Sequence, residues 1–314
     1  MKHYGICPAS CGEFVQGVMD RDEYLCSYAV DIYSTAEVEE KLENINIGPS
    51  KSRKAIEMVF RKFNLPIEES KNISLKIKSD IPVGKGMASS TADIGATIAA
   101  TLGLIKKELP SEEIARLASA IEPTDSIYIE KNSIFNPLNG EVIKYLGNIT
   151  NSRVVILEPN KTLNTMRIRK TPNYKKIKMQ NKDIIKISFN LLEDGIKNNN
   201  LYDIGKACTF SSLANENIHK KEGLEKIIEI SKSYGAYGVN IAHSGTVVGI
   251  LIDKSMNDTR LIELLRDAKL DSFYKKIYTS NIIDGGIRGQ VHGIHQKSYD
   301  DRRKKFHNDT RDNR

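Results

Sequence analysis

Residues Ile81–Thr97 read I-P-V-G-K-G-M-A-S-S-T-A-D-I-G-A-T, and the reading of the whole chain turns on them. Upstream, Ile73, Leu75 and Ile77 alternate with Ser74, Lys76 and Lys78, the pattern of a half-buried strand. Pro82 then breaks the strand, Gly84 and Gly86 permit positive φ, and Ser89, Ser90 and Thr91 lead into a small-residue apolar helix over Ala92–Leu102. A helix start after glycines presents unpaired N–H groups and a partial positive charge, which suits an anion such as a polyphosphate. The hydroxyls add donors and one candidate ligand for Mg²⁺. On the residues alone, a capped glycine turn and a phosphate cradle both stay open. The strings G-x-x-x-x-G-K-[ST] and G-x-G-x-x-G do not occur, which sets aside the common P-loop and the dinucleotide fingerprint.

The chain has 314 residues, enough for one large or two modest domains, with 39% hydrophobic and 28% charged residues. No apolar run reaches the roughly 18 residues of a membrane span, and the first residues lack the apolar region of a signal peptide. The expectation is a cytoplasmic protein that does not enter a membrane. The net charge is +7, partly from Arg302, Arg303, Lys304 and Lys305 near the C-terminus. Trp is absent and aromatics make up 7%, which argues against a basic surface interleaved with stacking residues for nucleic acid. An anionic substrate accounts for some of the positive charge. Cys7, Cys11, Cys26 and Cys208 lack the second Cys/His pair of a zinc site and read as reduced thiols.

Residues Ile6–Gly17 contain C-P-A-S-C-G-E-F-V-Q-G, where Pro8 and Gly12 mark a bend beside Glu13 and Gln16. Short strands follow at Tyr24–Ser27, Val30–Tyr33 and Thr35–Glu39. Asn44–Ser52, with Gly48 and Pro49, reads as a loop, and Arg53–Phe63 carries apolar residues at helical spacing. Ser111 reads as the N-cap of a helix whose apolar face is Ile114, Leu117, Ala118 and Ile121. That helix ends at E-P-T-D-S, which sets Glu122 and Asp125 on a polar turn. A solvated acidic turn and a catalytic pair both fit it. Phe135–Gly140 is a turn and Glu141–Tyr145 a strand.

A first domain ends near Thr150. Arg153–Glu158 is an apolar strand, Asn164–Lys170 a loop or edge strand, and Asp183–Lys197, Leu201–Asn215 and a segment stopping at Gly235 are helical. Gly235–Ile252 reads as a hairpin with the small polar tip A-H-S-G-T. His243 there is open between a catalytic role and a turn residue bonded to backbone. Thr259–Ala268 is an amphipathic helix and Lys276–Ser280 a last strand. From about Arg288 the chain is polar and charged, the composition of a flexible tail.

Pro82, Gly86, Ser89, Ser90 and Ala92 match the P-x-x-x-G-L-G-S-S-A-A loop, which makes the central string resemble that of the galactokinase–homoserine kinase–mevalonate kinase–phosphomevalonate kinase (GHMP) superfamily. Met87 stands for Leu, Ala88 for the second Gly and Thr91 for Ala. The opening C-P-x-x-C-G-E-x-x-Q-G looks like the branch that phosphorylates L-threonine for the aminopropanol arm of cobalamin. The glycine-poor tip around His243 takes the place of the superfamily's third motif.

The resemblance covers roughly Ile6–Gly286. It implies an α+β, two-domain GHMP kinase-like fold: an N-terminal mixed sheet-and-helix nucleotide domain over residues 1–150, a C-terminal ferredoxin-like domain over 151–287, and a basic tail over 288–314. It further implies ATP and Mg²⁺ as cofactors and L-threonine as the small-molecule partner. Pro82, Val83, Gly84, Lys85, Gly86, Met87, Ala88, Ser89, Ser90 and Thr91 would then wrap the phosphates. Ser89, Ser90 and Glu122 would hold the metal, and Asp125 would take the hydroxyl proton or orient the hydroxyl. Cys11, Gly12, Glu13, Gln16, His243 and Ser244 would line the substrate side. Lys54 would stand near the base of ATP or in solvent. Rival readings are a GHMP kinase for homoserine or a mevalonate-type acid, a nucleotide-binding regulator without turnover, and nucleic-acid binding by the tail.

Overall fold

The computed structural model describes residues 1–41, 46–161, 173–243 and 245–289. The start of the Asn44–Ser52 loop, the Asn164–Lys170 segment, Ser244 and the tail beyond Gly289 lie outside the described residues.

Two long strands carry the fold. β1 (Lys2–Met19) and β2 (Asp22–Glu40) make one antiparallel hairpin, from Lys2 opposite Glu39 to Met19 opposite Asp22. The three short strands expected between Tyr24 and Glu39 are thus one strand. The bend expected at Pro8 and Gly12 is a set of irregularities inside β1, with register shifts at Pro8/Ala9, Ser10/Glu13 and Glu13/Val15. Extra residues bulge out and the ladder resumes beyond them. Gly12 absorbs the distortion at φ 66°. β1 is buried on both faces from Cys7 to Val18, so it shows no inside–outside alternation for a sequence reading to find.

β3 (Ile73–Ser79) pairs with one end of β2, and the β4–β5 hairpin (Asn132–Asn136, Glu141–Gly147) meets the other, with Leu25 opposite Phe135. The turn expected from Phe135 therefore starts later, because Phe135 and Asn136 end β4. β6 (Ser152–Glu158), β7 (Gly238–Ile241), β8 (Val248–Asp253) and β9 (Lys276–Ile283) complete a nine-stranded sheet. Its path runs β1-β7-β8-β6-β9-β2 and closes, since β1 and β2 also pair with each other. Glu13 meets Ile241, and Ala29 and Val30 meet Ile283 and Ile282. The division near residue 150 falls between β5 and β6, and the strands on its two sides share this sheet.

α1 (Ser50–Lys62), α2 (Ile67–Ser70), α3 (Ser89–Leu104) and α4 (Ser111–Ser119) belong to the first half. The Ser111 cap is not made: Pro110 occupies the capping position, and no side chain bonds the helix start. α3 is buried from Thr91 to Gly103 apart from Asp93, and its small residues let it lie directly on β1. A Cβ on Gly5 would stand 2.1 Å from Ala96 O and 2.5 Å from Ala100 N.

α5 (Tyr174–Gln180), α6 (Lys182–Lys197), α7 (Leu201–Asn215), α8 (Leu224–Tyr234) and α9 (Asp258–Asp267) follow. Alternation along β6 sends Val154 and Ile156 to the core shared with α6 and α7, and Val155 and Leu157 to a second core with α8 and α9. The chain is still ordered where the tail was expected to begin. Arg288 exchanges two backbone bonds of 2.9 Å with Ile6, and its guanidinium lies 5.5 Å from the Tyr33 ring centroid. Among the described residues no helix is long and apolar enough to cross a membrane.

Gly5→Ala is expected to lower the unfolding free energy by roughly 1–3 kcal/mol through overpacking of α3 on β1. Urea titration of the two proteins measures it; equal midpoints would show that α3 shifts freely.

Candidate active site

The loop between β3 and α3 alternates in hand. Gly84, Gly86 and Ala88 all have positive φ, at 70°, 84° and 59°. Ala88 sits at the N-cap of α3, where a left-handed conformation costs a non-glycine residue about 1 kcal/mol. The first bond of α3 runs from Ala92 N to Ala88 O at 2.8 Å. The N–H groups of Ser89, Ser90 and Thr91 therefore project from the helix start.

The β7–β8 hairpin tip packs against this loop. Lys85 O accepts from Thr246 N at 2.7 Å and Val247 N at 3.0 Å. Backbone meets backbone there: a Cβ on Gly245 would stand 2.2 Å from Gly86 Cα. β1 closes the third side through Ser10 N, which donates to Met87 O at 3.2 Å, and through Gly12, whose Cβ would meet Ile241 O at 2.6 Å. The three stretches singled out in the sequence thus converge.

Not every expected phosphate contact faces outward. The Lys85 ammonium donates to the carbonyls of Pro159, Asn160 and Lys161, so it pins the loop to the end of β6 and is not turned to a phosphate. Met87 is buried, with Tyr278 OH 3.7 Å from its sulfur. Thr91 is buried beneath Thr124, and its carbonyl accepts from Tyr128 OH at 2.8 Å. Val83 is exposed at the loop tip. Pro82, Gly84, Gly86, Ala88, Ser89 and Ser90 remain as the partly open rim.

The acidic turn does reach that rim. Ser90 Oγ donates to one oxygen of Glu122, and Lys51 on α1 pairs with the other while donating to Ser90 Oγ at 3.1 Å. A cation, a hydroxyl and a carboxylate therefore meet at the start of α3. Asp125 Oδ1 accepts from Ser27 Oγ at 3.2 Å, and Ser126 Oγ accepts from Ser27 N at 3.1 Å, which fixes this turn on β2. Sequence reasoning missed Lys51, pointing instead to Lys54, which is exposed. It also missed Asp93, whose carboxylate accepts from Ser34 Oγ at 2.5 Å. Burial raises the Asp93 carboxyl above its ordinary value, and the Glu122 charge adds to that. A lone carboxylate in an otherwise small and apolar helix, three residues after Ser90, was the available signal.

The residues expected on the substrate side form a separate buried cluster. Glu13 Oε2 accepts from His243 N at 3.2 Å and lies 2.8 Å from His243 Nδ1. Ser211 Oγ accepts from Gln16 N at 3.0 Å and lies 3.2 Å from His243 Nε2, so its proton is free to go to that nitrogen. Gln16 Nε2 donates to Glu23, which pairs with the buried Lys178 ammonium at 2.6 Å. Burial pushes Glu13 up to about 7 against the opposing pull of the His243 N–H. Burial, with Lys178 and Lys221 nearby, holds His243 well below its ordinary value, so the ring stays neutral. Cys11 is also enclosed; its carbonyl accepts from Asn240 Nδ2 at 2.6 Å, and burial pushes its thiol up to about 12. All four cysteines are free and buried.

With this geometry in hand, comparison with known proteins is specific. Residues 50–129 match the family model for the GHMP kinases N terminal domain, and residues 192–268 that for the GHMP kinases C terminal. An L-threonine kinase of Salmonella typhimurium is 33% identical over 285 residues, covering 90% of this chain and 94% of the relative. One from Citrobacter freundii is 30% identical, covering 90% and 98%. The crystal structure of homoserine kinase from Cytophaga hutchinsonii superposes with a TM-score of 0.68 at 16% identity, covering 91% of this chain and 96% of that one, a likeness of fold.

Lys85→Met removes three charge-assisted bonds from a buried lysine to the partly buried carbonyls of Pro159, Asn160 and Lys161 and is expected to cost about 1–3 kcal/mol of stability. Thermal and urea unfolding test this; an unchanged stability would show that the carbonyls of residues 159–161 find other donors.

Proposed function

The chain belongs to the GHMP kinase family, and from that premise we propose that it transfers the γ-phosphoryl group of ATP to the hydroxyl of L-threonine, giving ADP and O-phospho-L-threonine for the aminopropanol arm of cobalamin. The observation that carries the proposal is the meeting of Ser90, Glu122 and Lys51 at the N-terminus of α3. The threonine assignment rests on the L-threonine kinases that this chain resembles over 90% of its length.

Phosphoryl transfer through a loose transition state needs positioning and charge neutralisation more than covalent chemistry. The α3 N–H groups, with the helix dipole behind them, bind phosphate oxygens. The glycine loop brings its backbone close to the polyphosphate, and Ser89 adds a hydroxyl. Lys51 supplies positive charge beside the transferring group. One hydroxyl and one carboxylate in contact with a cation are a hard-oxygen donor set, and the Ser90–Glu122 pair suits a magnesium ion that keeps several of its waters. Such an ion would neutralise phosphate charge.

The acceptor oxygen attacks the γ-phosphorus in line as the bond to the bridging oxygen of ADP breaks. Asp125, oriented by Ser27, receives or orients the hydroxyl proton. Asp93, partly buried one turn along α3, shapes the field around Glu122. Glu13 and His243 are bonded to each other and buried, so in this reading they hold the hairpin tip against β1 and support the acceptor side from behind.

The purified chain, incubated with ATP, Mg²⁺ and L-threonine, should release ADP and yield a phosphomonoester signal in ³¹P NMR. Homoserine and mevalonate should give much slower release. Equal or faster turnover of either would replace threonine as the acceptor, and no turnover with any of them would remove the kinase reading.

Asp125→Asn should lower kcat by about 10²-fold or more with little change in ATP affinity, the size of a lost general base. An unchanged kcat takes Asp125 out of the mechanism. Glu122→Gln should raise the Mg²⁺ concentration needed for half-maximal rate, and a metal dependence like the wild type's would place the ion elsewhere.

A further inference from the structure

A cavity lined by three lysines lies beside the hairpin tip. It has a volume of about 140 Å³ and is lined by Pro159, Lys161, His219–Glu222, Thr246 and Tyr274. Its lysines are not equivalent. Lys161 is exposed at 78% and stands 3.5 Å from Glu222 on the rim. Lys221 is 3% exposed, and its Nζ donates to Gly245 O at 2.9 Å and His219 O at 3.4 Å, both neutral acceptors. Glu216 accepts from the Lys221 backbone N–H at 3.0 Å, not from the ammonium.

A buried ammonium whose hydrogen bonds go only to carbonyls is costly, and burial lowers the Lys221 pKa to about 8 against the opposing pull of the Glu216 and Glu13 charges. His219 stays neutral through burial and the neighbouring Lys221 charge. With three lysines against one carboxylate, Glu222, in its lining, the balance of the cavity is cationic.

We infer that this cavity is a binding site for a small oxyanion, a carboxylate or a phosphate group, which accepts from Lys221 and Thr246 and is rimmed by Lys161 and Lys220. The site is tied to the phosphate loop. Lys221 grips Gly245 O, Gly245 packs on Gly86, and Thr246 donates to Lys85 O, so an anion here stiffens the hairpin against the loop. Two sources share the chemistry: the carboxylate of an amino-acid acceptor, or a free or product phosphate.

Calorimetric titration with inorganic phosphate tests the site on the full chain, with a non-hydrolysable ATP analogue saturating the loop before α3. The wild type should bind, and Lys221→Met should weaken binding at least about tenfold. Lys161→Ala, on the exposed rim and safe for folding, should weaken it about two- to fivefold. Equal affinity in the wild type and both variants, or no binding by the wild type, overturns the site.

Competition then separates the sources. Displacement of phosphate by L-threonine but not by L-threoninol, which lacks the carboxylate, assigns the cavity to the acceptor; displacement by neither assigns it to phosphate. The titration needs no turnover, so failure of the kinase reading leaves its result intact.

Discussion

The contact on which the rest depends is backbone against backbone, where Gly86 in the loop before α3 meets Gly245 at the hairpin tip. No side chain fits between them. The two segments are further stitched by Thr246 and Val247 N–H groups on Lys85 O, and the Lys85 ammonium ties the loop to the carbonyls that follow β6. One residue, Lys85, thus joins three elements distant in sequence. The loop is held open to ligand on one side because it is closed so firmly on the other. Preorganisation of this kind matters where catalysis is mostly placement.

Around that contact the polar groups divide by access. Ser90, Glu122 and Lys51 are partly open and able to meet a polyphosphate. Glu13, His243, Gln16 and Lys178 are enclosed and, with the partly buried Glu23, are linked by hydrogen bonds and an ion pair that leave Gln16 Oε1 without a hydrogen-bond partner among the described residues. An enclosed network is expensive if any member is lost, which explains why it fixes geometry so well. The same chemistry of carboxylates and cations therefore serves two purposes, set by whether water reaches it.

Much of this was legible in the residues. The alternation at Ile73, Leu75 and Ile77, the glycines and the hydroxyls located the strand, loop and helix start, and Glu122 and Asp125 stood out as the polar turn that the structure brings to β2 and α3. The directions of side chains were not legible. Lys85 falls in the loop that the family resemblance assigns to phosphate, but its four methylenes carry the charge to carbonyls just beyond β6. Lys51 and Lys54 both lie on the exposed side of an amphipathic helix, and only tertiary placement shows which one meets Glu122. β1 was hidden because burial on both faces erases the period-two signal, and β2 because its partners change along its length.

The closed path of the sheet has a consequence for how the molecule comes into being. β1 and β2 are made well before β7 and β9, which flank them in the sheet. Through most of synthesis the nascent hairpin has unsatisfied edges and a greasy face. Closing it demands contacts between distant parts of the polypeptide, the slow and aggregation-exposed kind. Neither half of the chain can complete this sheet by itself, so the folding unit is the two halves together.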